Sequence, residues 1–402
     1  MRPPPGRVAL VLAGGAARGA YEVGVVQHVL ENVSRDLGHD VRFDILSGTS
    51  VGALNACGMA AFADLGPARM GRVVDVWTSL DIVELVRPDA RGLLEMTTKL
   101  LRRSPVSVGE NVGGLIDPTG LEELVHRTIP FDRIDANIRA GALSALTVST
   151  THVRTGRTVV YVQSSDPRVP TWRSDSTTRA VATTITARHA LASAAIPILF
   201  RAVAIDNAFH SDGGLRQNVP LSPARRLGAS RVFVVNPRCI SAAPIVPDEP
   251  EQAPGLLFLL GKTLNALLLD RIESDLSRLG TINRILEAGT RAYGPDFIDV
   301  LNREMGRTEG GFYPMQNMLV RATEDIGRMA ADFVRSPAFS RIGGMTGQLM
   351  RRLAERDAKS EADLLSYLLF DGEFARQLIE LGRRDARARH EELCRFFAEP
   401  AP

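Results

Sequence analysis

The chain has 402 residues, 45% of them hydrophobic and 23% charged, with a formal net charge of +2. That balance marks an ordinary globular protein with enough apolar residues for a sizeable core, and it offers no electrostatic reason for a nucleic-acid partner. The three cysteines, Cys57, Cys239 and Cys394, stand far apart without CxxC spacing, which indicates neither a disulfide framework nor a zinc cluster and sets a reducing, cytoplasmic location as the expectation.

The apolar run at residues 8–13 is too short for a secretory core and leads straight into glycine, so it predicts a first β-strand and no signal peptide. A glycine-rich turn follows, Gly14, Gly15, Ala16, Ala17, Arg18, Gly19, and opens a helix predicted over 16–31. Backbone N–H groups at the carboxyl end of a strand can cradle an anion or an oxyanion, and a plain tight turn is the alternative. A dinucleotide fingerprint fails on spacing, because it needs glycine at position 16, where alanine stands. Arg18 is a cation near a helix N-terminus, where the dipole disfavours it, and so calls for another role.

A strand over 43–46 leads into Gly48-x-Ser50-x-Gly52 and a helix over 51–62. Strand, sharp turn and helix with a lone serine at the apex form the pattern of a nucleophile elbow, with glycine at 48 and 52 where neighbouring chain passes without room for a Cβ. Between residues 80 and 120 the pattern weakens, consistent with a cap or with surface embellishment. Strands are expected at 143–153 and 158–163, an alanine-rich helix at 181–195 stopped by Pro197, a strand at 203–205, and a last strand at 230–236. Near-continuous apolar runs alternating with helices argue for a mostly parallel sheet buried on both faces.

Proline and acidic residues mark a loop or linker at 238–254, and the remainder, including 256–288, 319–334 and 361–389, reads as helical. The apolar run at 255–269 contains Lys262 and falls short of the roughly 20 residues a membrane span needs. It is apolar nearly all round, so it reads as a buried helix ahead of one lying on a bilayer surface.

Acyl transfer at Ser50 requires a base. A conventional triad order of serine, acid and histidine leaves only His390 after Asp212, on a charged, apparently solvated helix, and the histidines at 28, 39, 126, 152, 189 and 210 show no pairing pattern. Asp212, followed by Gly213 and Gly214, is a carboxylate pinned by two glycines at a strand end, where it can approach a nucleophile closely.

Four segments in order, residues 12–24, 48–55, 192–197 and 212–220, resemble those of the patatin-like phospholipase family, serine hydrolases with a Ser–Asp dyad on an α/β sheet. The resemblance implies a three-layer α/β/α sheet, mostly parallel, with a helical C-terminal extension. It implies Ser50 as nucleophile, Asp212 as base, and the backbone of Gly14, Gly15 and Ala16 with Arg18 nearby as the oxyanion site, supported by Gly48, Gly52, Gly213 and Gly214. The family's third loop glycine is Ala16 here, which leaves the donor set open. The organisation that follows is a catalytic domain over 1–237, a linker over 238–254 and a helical region over 255–402 packed on the core. The expected partner is a lipid or lysolipid substrate, with peripheral membrane contact left open, no nucleic acid, and no cofactor or metal. A carboxylate base raised by burial from about 3.9 implies an activity profile without a limb near pH 6.5. A lipid-binding protein without catalysis and a triad using His390 are the competing readings.

Overall fold

The computed structural model describes residues 6–87, 114–166, 177–217, 219–239, 272–306, 311–356 and 362–398. The apolar run at 255–269, most of the linker at 238–254, residues 88–113 of the 80–120 stretch, and Asn218 of the aspartate motif lie outside the described residues.

Strand β1 (Val8–Leu12) forms the middle of a nine-stranded sheet, with β2 (Ile45–Thr49) and β8 (Arg231–Asn236) parallel on either side. Beyond β2 come β3 (Ala145–His152), parallel, β4 (Thr158–Ser164), antiparallel, and β5 (Thr178–Ala182); beyond β8 comes β9 (Gln316–Arg321), parallel. A hairpin of β6 (Val203–Ile205) and β7 (Ala208–Asp212) joins through β7, which runs antiparallel to β3. The sheet is therefore mixed and mostly parallel, with the expected helical layers on both faces.

The helices that matter for the site are α1 (Gly19–His28), α2 (Val51–Ala61), α3 (Arg69–Thr78), α4 (Thr119–Thr128), α5 (Ala187–Ser193), α6 (Ile326–Arg335), α7 (Ala362–Leu368), α8 (Gly372–Ala388) and α9 (His390–Ala398). Every residue of β1 is buried, and its side chains divide by pleat between two cores. Leu10 and Leu12 join Val25, Ala53, Leu378 and Phe397 of α1, α2, α8 and α9. Ala9 and Val11 join Val219, Leu221, Ala224 and Leu279 on the opposite face. The C-terminal helices thus complete one layer over the sheet. Contact is closest where α1 crosses α8: a Cβ at Gly24 would lie 1.9 Å from the carbonyl oxygen of Ile379, and one at Gly382 would lie 2.2 Å from that of Tyr21.

Three expectations change. The segment 181–195 is not one helix, because β5 runs to Ala182 and α5 begins at Ala187. Between them the β-branched run Thr183, Thr184, Ile185, Thr186 disfavours helix, and Thr186 with His189 closes a capping box. Residues 319–321, expected as helix, belong to β9, so 230–236 is not the last strand; alternate burial of Met318 and Val320 and pairing to β8 override the local pattern. The strand expected at 203–205 ahead of Asp212 is a hairpin, in which β6 covers Val203–Ile205 and Asp212 stands at the end of a second strand, β7.

Candidate active site

The register of β3 explains how the two ends of the chemistry meet. β2 pairs with β3 from Ile45 to Thr49, opposite Ala145 to Ser149. β7 then takes the same edge of β3, with Asp212 opposite Thr150. Ser50 follows the end of β2 and Asp212 ends β7, so the two strand ends meet on this edge of β3 with their side chains facing each other.

Ser50 adopts φ +56°, ψ −129°, a sparsely populated conformation for a residue with a side chain, and α2 begins at the next residue. The flanking glycines are required sterically: a Cβ at Gly48 would lie 2.3 Å from the carbonyl oxygen of Gly52, and one at Gly52 would lie 2.5 Å from that of Leu12. The hydroxyl of Ser50 donates to Oδ2 of Asp212 at 2.6 Å, and Oδ1 accepts the N–H of Gly214 at 2.7 Å. Gly213 has no room for a Cβ, which would fall 2.2 Å from the carbonyl oxygen of Ser149. Asp212 is fully buried, and burial pushes its carboxyl up to about 7 against the opposing hydrogen bonds from Ser50 and Gly214.

Ser193 is a residue the sequence did not single out by role. Its hydroxyl accepts the backbone N–H of Ser50 at 2.9 Å and donates to the carbonyl of Ser149 at 2.6 Å, so α5 braces the strained elbow against β3. The alanine-rich start of the third family-like segment masks it, since a lone serine among alanines signals nothing by itself. Ser193→Ala leaves the Ser50 N–H without this partner in a dry site, and is expected to lower stability by about 1–3 kcal/mol in urea denaturation. An unchanged midpoint would remove Ser193 from this role.

The glycine turn lies beside the elbow because β1 and β2 are adjacent and in register, Leu12 opposite Gly48. Ala16 sits at φ +49° and is buried. The alanine therefore accepts the left-handed conformation in which glycine is favoured, at a cost of about 1–2 kcal/mol. Arg18, grouped by sequence with this turn, sends its guanidinium to the C-terminal region instead: Nε donates to Ser366 at 2.8 Å, an Nη donates to Asp363 at 2.9 Å, and the group stacks over Tyr367. Beneath the turn Glu22 is buried and its carboxyl is raised well above the usual range by desolvation; its Oε2 accepts from Asn55 at 3.0 Å. Asn55 in turn accepts from the Trp77 indole at 2.9 Å, which ties α1, α2 and α3 together.

Among the described residues no histidine is hydrogen-bonded to Ser50. His390 lies against His28 at 3.1 Å and Asp36 at 2.9 Å, which takes it out of the triad role. His210, two residues before Asp212, bonds to Thr150 and Tyr161, and His189 caps α5; burial lowers both to about 4. Also among the described residues, no group of three His, Cys, Asp or Glu is arranged to hold a metal.

A partly open apolar cavity of about 70 Å³ runs beside α2, walled by Val51, Leu54, Phe62, Trp77, Leu121 and Ile129. Val51 directly follows Ser50, so the cavity begins one residue from the elbow.

A family model described as patatin-like phospholipase matches residues 10–225. No curated protein sequence matches the chain. Among solved structures, VipD from Legionella pneumophila is 13% identical over 94% of this chain and 67% of that chain, with a TM-score of 0.30. The type III effector protein ExoU is 15% identical over 91% of this chain and 79% of that chain, with a TM-score of 0.29. In the heterodimeric ExoU–SpcU complex from the type III secretion system of Pseudomonas aeruginosa the values are 14%, 91%, 75% and 0.27.

Proposed function

The chain belongs to the patatin-like phospholipase family, and we propose that it hydrolyses carboxylic esters of lipids through an acyl-enzyme on Ser50. The buried hydrogen bond of 2.6 Å from Ser50 to Asp212 carries this reading. As the Ser50 oxygen attacks the ester carbonyl, its proton passes to Oδ2 of Asp212, and the carbonyl oxygen becomes an oxyanion held by N–H groups of the Gly14–Gly15–Ala16 turn. The tetrahedral intermediate collapses, the ester C–O bond breaks, and Asp212 returns the proton to the leaving alcohol. Water then attacks the acyl-enzyme with Asp212 accepting its proton, and Ser50 recovers its hydrogen as the fatty acid leaves.

The apolar cavity that begins at Val51 supports an acyl chain as the part of the substrate lodged along α2. The catalytic residues fall within the assigned catalytic domain, 1–237, and the C-terminal helices complete one core layer, so the described helices after residue 272 are assigned as an integral part of the enzyme rather than an appendage. Among the described residues no helix is long and apolar enough to cross a membrane.

A carboxylate at about 7 changes one expectation. Asp212 must be ionised to accept a proton, so kcat/KM is expected to rise with pH through about 7 and level off above it, placing a limb close to where a histidine would titrate. The experiment that tests the reading measures that profile on a short-chain nitrophenyl ester and a phospholipid panel, with a fluorophosphonate to label Ser50. Hydrolysis, labelling at Ser50, and a limb that persists in His210→Gln support the dyad. An inert wild type whose Ser50 resists the label in the presence of lipid supports the lipid-binding alternative, and a limb lost with one histidine overturns the carboxylate base.

A further inference from the structure

The Gly14–Gly15–Ala16 turn holds a conformation that its own residues do not favour, with Ala16 at φ +49°. Strain of this kind persists only where the surroundings over-determine it. One support is local: a 3₁₀ turn over Ala16–Arg18, in which the N–H of Arg18 donates to the carbonyl of Gly15 at 3.1 Å. The other comes from far along the chain. Arg18 is only 4% exposed, and its Nε, one Nη and one face are met by α7: Ser366 Oγ at 2.8 Å, Asp363 Oδ1 at 2.9 Å, the Asp363 carbonyl at 3.5 Å, and the ring of Tyr367 at 4.4 Å from its centroid. Ser366 and Tyr367 are themselves fully buried.

A buried guanidinium is costly unless it is paired, and a planar fork held along its Nε–Nη edge and stacked on one face has its orientation fixed. Arg18 therefore works as a tether of fixed length and direction between α7 and the turn. The next residue transmits the same position to the elbow. A Cβ at Gly19 would lie 2.6 Å from Cγ2 of Val51, so the start of α1 is seated directly against the residue that follows Ser50. Moving Arg18 moves both the oxyanion donors and the wall of the elbow.

We infer that Asp363, with Ser366 and Tyr367, is a positioning set for the oxyanion turn, acting through Arg18. The inference rests on the hydrolase reading above. It assigns a role in the rate of the reaction to residues of α7, which lies outside the segment matched by the family model, 10–225.

The test uses the full chain and compares wild type with Asp363→Ala, Arg18→Lys and Ser366→Ala. Four quantities are read on folded protein: kcat and KM for a short-chain nitrophenyl ester, the inhibition constant of a trifluoromethyl ketone that forms a tetrahedral adduct with the serine, and the melting temperature. Donors held for the oxyanion act on the transition state and not on the bound ester. Asp363→Ala is expected to lower kcat by about 10–100-fold with KM within about twofold, and to weaken the ketone in proportion to kcat/KM. Arg18→Lys should do the same, since a point charge cannot satisfy both Ser366 and Asp363. A variant that melts lower but keeps kcat and ketone binding within about twofold shows a merely structural contact and overturns the inference. Where Asp363→Ala does not fold, Ser366→Ala, which removes the Nε acceptor and the hydroxyl's own bond to the Asp363 carbonyl, decides by the same criteria. A wild type that neither hydrolyses the ester nor labels at Ser50 fails the hydrolase reading itself and takes the positioning role with it, an outcome distinct from active wild type with unaffected variants.

Discussion

Asp212→Asn is expected to lower kcat by about 10³–10⁴-fold while raising the thermal stability of the protein above pH 7. The amide keeps the shape of the carboxyl and can still accept the N–H of Gly214, which is 2.7 Å from Oδ1 in the wild type. It offers an NH₂ to Ser50 in place of the oxygen that accepts the Ser50 hydroxyl at 2.6 Å, so the proton of the nucleophile has nowhere to go. Stability moves the other way because the folded carboxyl is raised from 3.8 to about 7. In the unfolded chain the group ionises near its ordinary value, so the proton it retains when folded favours folding fully at acid pH. That contribution fades as pH rises from about 4 to about 7, and above this a buried charge is the cost of having the base. Asparagine has no such dependence. Relative to wild type, Asp212→Asn should gain on the order of 2–4 kcal/mol between acid pH and pH 8, read as the difference in denaturant midpoints at the two values. A wild type whose stability relative to Asp212→Asn is flat across that range would show that the carboxyl is not raised, and unchanged kcat in the variant would dismiss Asp212 as the base.

Gly24→Ala is expected to destabilise the fold by about 3–5 kcal/mol, although alanine is the better helix former by roughly 1 kcal/mol. The reason is the crossing of α1 and α8, where the new Cβ would meet the Ile379 carbonyl oxygen at 1.9 Å, backbone that cannot step aside as a side chain can. The helices must separate. That separation strains the Tyr21 hydroxyl on Asp385, now 3.1 Å apart, and the Arg383 bond to Gln27, 2.6 Å. Gly382→Ala attacks the same crossing from the other side, so the double variant should cost less than the sum of the two. Urea denaturation measures all three. A loss below about 1 kcal/mol for Gly24→Ala would mean that the C-terminal helices sit on the sheet with slack, and the C-terminal layer would no longer count as part of the core.

The legible parts of this chain are those whose physics is local. The glycines at 48 and 52 announced a turn too tight for a Cβ, and the distances to Gly52 and Leu12 are what that announcement means. The buried run of β1 and its following turn were plain from apolar pattern and glycine. Thr178–Ala182 and Gln316–Arg321 were misread because a short strand at a sheet edge is defined by its neighbour, and the neighbour is not in the window being read. β7 is likewise a strand by virtue of its pairing with β3 and β6.

The sequence by itself determined the residues on which the proposed chemistry rests: a serine at a tight apex flanked by glycines, a carboxylate followed by two glycines, and a glycine-rich turn after the first strand. It did so because small residues at fixed spacing leave the backbone few alternatives. Tertiary structure alone decided that Ser50 and Asp212 meet, through the handover of one edge of β3 from β2 to β7. It decided the rise of Asp212 to about 7, since desolvation depends on what surrounds a group in space. It also sent Arg18 to α7 and not to the glycine turn beside it in sequence, because a buried cation must find its anion wherever the packing of the whole chain has placed one.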